Sequence, residues 1–148
     1  MALRDSQIRK AQPRVASAEA DDPERLVQAM AEFRLAEAAL QRDDTVQADE
    51  LARKALAAEP TNSDYGALVA WIGAITGAQG AIPLAIAKLN VILKDDPTCE
   101  RALLYRGRLY KRAKRAAEAL RDFSAVIDVN PQNAEAASEV RLLRAKKK

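Results

Sequence analysis

Six basic side chains stand close together in RGRLYKRAKR: Arg106, Arg108, Lys111, Arg112, Lys114 and Arg115. Cations this dense can hold phosphate or carboxylate oxygens. At helical spacing Arg108, Lys111, Arg112 and Arg115 form one stripe, whereas Arg106 and Lys114 point elsewhere. The cluster belongs to a wider asymmetry. Residues 1–99 hold 11 Lys+Arg against 15 Asp+Glu, and residues 100–148 hold 13 against 6, so the first two-thirds and the last third carry −4 and +7. Three readings stay open: a solvated face or groove lining, a contact for an acidic protein, or a patch for nucleic acid or anionic lipid.

The remaining reactive types argue against an enzyme. Asp43-Asp44, Asp49-Glu50 and Asp95-Asp96 are adjacent pairs, whose side chains diverge by about 100° on a helix, so they read as solvated caps. Cys99 follows Pro97-Thr98 in what reads as the first turn of a helix, a place that can lower a thiol pKa. With one cysteine and no histidine, it reads as a packed or partly exposed thiol without a catalytic partner. The absence of histidine removes the commonest general base and metal ligand. No phosphate loop, dinucleotide fingerprint or metal-ligand spacing appears, so neither cofactor nor metal is expected.

The elements that must position these residues are helices. Alanine dominates an apolar fraction of 49%, aromatics make up 4%, and 148 residues suffice for one core. A lone cysteine fits a reducing, cytoplasmic setting, and the N-terminal residues lack the apolar run of a secretory peptide. Tyr65 to Ala87 is uncharged and long enough to span a bilayer, but Gly73, Gly77, Gly80 and Pro83 break it into a helical hairpin.

A repeat emerges from the small residues and prolines. Ala36, Ala48 and Pro60 are spaced by twelve, as are Gly73, Ala85 and Pro97, and Gly107, Ala119 and Pro131. The first small residue and the alanine suit two antiparallel helices whose axes approach closely. The proline suits the turn opening the next unit. Turn signals at Arg42-Asp43-Asp44-Thr45, Gln79-Gly80 and Lys114-Arg115 separate the helices, and Asp22 and Asp44 read as N-caps. The spacing predicts helices over 23–41, 45–58, 63–78, 81–94, 99–112, 116–128 and 133–145. Residues 1–21 read as a linker or loosely docked arm.

Gly107, Tyr110, Ala119, Phe123 and Pro131 match the small, aromatic, alanine, aromatic and proline positions of the tetratricopeptide family, which the chain resembles from about residue 22 to its end. The second unit keeps Gly73, Gly80, Ala85 and Pro97 with Leu89 at the aromatic place. The first keeps Leu35, Ala36, Ala48, Ala55 and Pro60, with Ala52 there. In the first two units the run from proline to small residue is three residues longer, nearly one helical turn, at the start of the first helix. The resemblance implies an all-α solenoid, a right-handed superhelix of three repeats (about 23–60, 61–97 and 98–131) within a domain at 22–148. Its last helix, 133–145, acts as a cap with Ala136, Val140 and Leu143 on one stripe.

The resemblance also implies a concave groove lined by the first helix of each repeat. Carried over residue by residue, it selects Phe33, Arg34 and Glu37, with Met30, from the first unit. The second gives Ala70, Trp71 and Ala74, with Ala67, and the third Arg101, Leu104, Tyr105 and Arg108. Trp71 and Tyr105 beside arginines suit interface anchors, or else pack between neighbouring repeats. The chaperone-tail carboxylate clamp found in some members would fall on Phe33, Glu37, Ala74, Arg101 and Tyr105, of which only Arg101 fits. The function implied is a protein-interaction module for a protein or peptide of acidic character, within a larger bacterial regulatory or chaperone-associated protein. The alternative is a nucleic-acid-binding helical repeat that uses the basic C-terminal third.

Overall fold

The computed structural model describes residues 22–78 and 80–146, in which seven α-helices and no strand occur. The expected arm at 1–21 lies outside the described residues. The chain divides into two compact units, one ending at Pro60 and one beginning at Thr61.

The first unit is a hairpin of α1 (Pro23–Gln41) and α2 (Thr45–Ala58). Asp22 caps α1 by accepting from the Glu24 amide at 3.1 Å, and Pro23, which has no amide proton to satisfy, opens the first turn. The helix stops in a Schellman corner. Asp43 adopts φ 61, its amide donates to Leu40 O, and the Asp44 amide reaches back to Ala39 O at 2.9 Å. Asp44 then caps α2 through the Gln47 amide at 3.1 Å. Ala29, Ala36 and Ala39 on α1 and Ala48, Ala52 and Ala55 on α2 are buried, with Phe33 the one large side chain among the buried residues. Methyl-sized groups let the two axes approach closely.

The second unit runs α3 (Ser63–Thr76), α4 (Ala81–Asp95), α5 (Glu100–Arg112), α6 (Ala116–Val129) and α7 (Ala134–Lys146). Asn62 caps α3 through the Tyr65 amide, and Asn133 caps α7 through the Ala136 amide. Leu68, Ile72, Leu89, Leu109, Phe123 and Val126 form its deepest core. The α5–α6 corner repeats the Schellman geometry of the first hairpin: Lys114 has φ 61 and the Arg115 amide donates to Tyr110 O at 2.8 Å. The α5–α6 crossing is close, since a Cβ on Gly107 would meet the Phe123 ring at 3.0–3.2 Å.

The α3–α4 hairpin departs from the expected pattern. Gly73 should be small for the same reason as Gly107, yet a Cβ there would meet nothing within 4 Å. The helix also stops at Thr76, two residues short of the expected 78, where the Thr76 hydroxyl donates to Ile72 O at 2.7 Å. Gly77 is extended, a Cβ on it would collide with Ala81 and the Gly73 carbonyl, and Gly80 turns the chain at φ 98. The early exit leaves an apolar recess of about 610 Å³ beside Ala74, Ile82, Pro83 and Ile86. Among the described residues no helix is long and apolar enough to cross a membrane.

Candidate functional site

The first helices of successive hairpins in the second unit, α3 and α5, meet through their aromatics, and α7 follows α5 through charge. Trp71 and Tyr105, 34 residues apart in the sequence, stack with ring centroids 5.3 Å apart and planes 13° from parallel. The Arg108 guanidinium lies 5.0 Å from the Trp71 centroid and 5.4 Å from that of Tyr105, and Arg112 lies 5.1 Å from Trp71. Both arginines are drawn to the electron-rich ring faces. Glu135 on α7 grips Arg108 with both oxygens at 2.6 Å, and Lys111 donates to Glu139 at 2.8 Å. The hydrogen bonds to Glu135 raise the Arg108 pKa against the opposing effect of burial. A pocket of about 440 Å³ opens here, lined by Trp71, Arg108, Lys111, Arg112, Phe123 and Glu139. The Oε2 atom of Glu139 is buried without a hydrogen-bond partner.

Of the two readings that sequence leaves for Trp71 and Tyr105, the packed one holds: they are only 8% and 6% exposed and form a stacked floor under arginines. Ala70 and Ala74 are buried too, because nearly every face of α3 is covered. Leu104 is half-buried, and Arg101 lies 3.8 Å from Asp64. In the first unit Phe33 is buried, Arg34 is exposed and Glu37 is half-buried, while Met30 is 44% exposed.

Solved structures with the same helical arrangement include the first domain of Spaghetti (RPAP3) bound to an HSP90 peptide, at 18% identity. That match has a TM-score of 0.67 over 82% of this chain and 96% of the other. The Sgt2 domain from Aspergillus fumigatus matches at 17% identity and TM-score 0.67, over 84% and 80% of the two chains. The Yersinia enterocolitica secretion chaperone SycD, in complex with a peptide of the translocator YopD, matches at 15% and 0.59, over 80% and 94%. The chain has the tetratricopeptide fold. No family model and no curated relative matches it by sequence.

Within this tetratricopeptide fold most of the basic cluster has internal partners. Arg106, on the other side of α5 from the pocket, donates to both oxygens of Asp122 at 2.8 and 2.7 Å and to Asn90 at 2.8 Å, linking α4, α5 and α6. Asp122 is 2% exposed, and its hydrogen bonds raise the Arg106 pKa. Arg115 pairs with Glu118 and lies over Tyr110 at 5.0 Å. It is the N-cap of α6, beyond the end of α5, so the expected four-residue stripe ends at Arg112. Cys99 is buried at the N-cap of α5, 3.6 Å from an Asp64 oxygen. Burial pushes its thiol up to about 11, outweighing the lowering by the Ala102 amide, so the helix start does not activate it.

The set carried over from the resemblance leaves out Lys111 and Arg112, which line the pocket, although groove lining was one reading of the basic cluster, and sequence reasoning missed Glu135 and Glu139 altogether. The signal was present. Glu135 and Glu139 stand 34 residues after Arg101 and Tyr105, so the terminal helix continues the groove register beyond the third repeat. Arg108 and Arg112 are one helical turn apart and share a face.

Proposed function

We propose that this chain is a protein-interaction module, without catalytic activity, whose second unit binds a peptide segment of a partner where α3, α5 and α7 border the pocket. The observation that carries the reading is that pocket, with a rigid aromatic floor and arginines held over it. Fixed planar groups lose little freedom on binding, which suits an extended ligand. Support also comes from structures of the same fold that hold peptides, of HSP90, HSP70 and YopD respectively. They favour a place within a larger chaperone-associated or regulatory assembly, and the SycD complex extends that to a bacterial one. The nucleic-acid alternative loses ground, because Arg106, Arg108, Lys111 and Arg115 already face carboxylates. Phosphate contacts need cations that can release counterions.

Trp71, the single tryptophan, lies in the pocket floor and reports on its occupancy. A phage library of nonamer peptides panned against the protein should return binders that change Trp71 emission saturably. No binders, or binders that leave the emission untouched, would remove the site from this pocket.

A further inference from the structure

We infer that the group by which this pocket recognises its peptide is a single carboxylate received by Arg112, and that a phosphoryl group is disfavoured there. The inference rests on the peptide-binding reading above and adds to it the charge and the receiving residue. Arg101 and Arg108, the arginines that sequence spacing selects, do not fill this role. Arg108 is held bidentately by Glu135, and Arg101 sits beside Asp64. Lys111 is matched by Glu139.

Arg112 differs from all of them. It is exposed, lines the pocket, and makes no ion pair or hydrogen bond with a carboxylate among the described residues. Its interaction is with the Trp71 ring, 5.1 Å away. A ring face attracts the cation and limits its swing without neutralising it, and the in-plane N–H groups remain free to donate. A guanidinium held this way receives a planar carboxylate edge-on, as a two-pronged pair.

The same charges set an upper limit. With Arg108 and Lys111 matched, the pocket has one cation in excess, which one negative charge satisfies. Glu139 also lines the pocket, but its charge is taken up by Lys111. A second negative charge on the ligand would have no cation left to meet it. A phosphoryl group carries about −1.5 to −2 at neutral pH, which exceeds what the pocket can match.

The probe is the tightest library peptide containing an acidic residue, synthesised with blocked termini in three versions: Glu, Gln or phosphoserine at that position. Against the full chain, Gln should weaken binding about tenfold or more, the loss expected for a hydrogen-bonded charge, and phosphoserine should also bind less tightly than Glu. With Arg112→Gln protein the Glu and Gln peptides should bind alike, and Arg112→Lys should recover part of the difference. Peptides that shift Trp71 but bind Arg112→Gln protein as tightly as the parent would overturn this assignment and leave the peptide-binding reading intact. Tighter binding of the phosphoserine version would overturn the charge limit. A library with no binders would overturn both readings together.

Discussion

Two hairpins of the second unit share one sequence pattern and pack differently. In α5–α6, Gly107 lies against the Phe123 ring, Arg106 and Asp122 form a largely buried ion pair, and a Schellman corner closes the turn. In α3–α4, Leu89 stands where Phe123 would, Gly73 faces open space, and the helix leaves early through Gly77. In these two hairpins the glycine is a packing requirement only where a large ring fills the opposite position. The glycine of the second repeat follows the pattern without its steric cause.

The comparison can be broken most forcefully at Asp122. Changing it to Ala leaves Arg106 half-buried without its carboxylate and should cost about 3 kcal/mol, the lower end for breaking a buried pair because that arginine keeps some solvent. Urea denaturation of the full chain measures it, and a midpoint like the parent's would mean the pair is solvated. Next comes Gly107→Leu, for which overpacking against Phe123 should cost about 1–3 kcal/mol. Parent-like melting would show that the ring moves aside freely. Gly73→Ala is the smallest change and should have the opposite sign. With nothing to meet the methyl, the gain in helix propensity should stabilise by about 0.5–1 kcal/mol. Destabilisation there would restore the close crossing that the second hairpin lacks.

Much of this was legible because the determinants are local. The Asp22 and Asp44 caps, the prolines and the buried stripe of Ala136, Val140 and Leu143 act within a few residues of where they stand. Periodicity therefore set both ends of six of the seven helices to within a residue. The groove was harder to read. Whether Trp71 is open or covered depends on where Arg108 and Arg112 lay their guanidinium groups, and Arg108 is steered by Glu135 on a helix that a three-repeat reading treats only as a cap. The exit of α3 at Thr76 depends on close contacts among Gly73, Gly77 and Ala81 that spacing alone does not encode.

The hold on α7 has a further consequence. Its apolar stripe is one alanine, one valine and one leucine, and its polar links to α5 include the Arg108–Glu135 and Lys111–Glu139 pairs and a hydrogen bond from its cap Asn133 to Glu100. Partly exposed ion pairs weaken as ionic strength rises, whereas apolar burial does not. Native-state hydrogen exchange would therefore divide the unit into two opening regimes. Amides of α7 would exchange through local detachment that added salt accelerates, while those around Leu109 and Phe123 would wait for global unfolding. Helix α7 is held to α5 largely through polar side chains and the core around Phe123 by shape, so ionic strength should set how long α7 stays docked on α5.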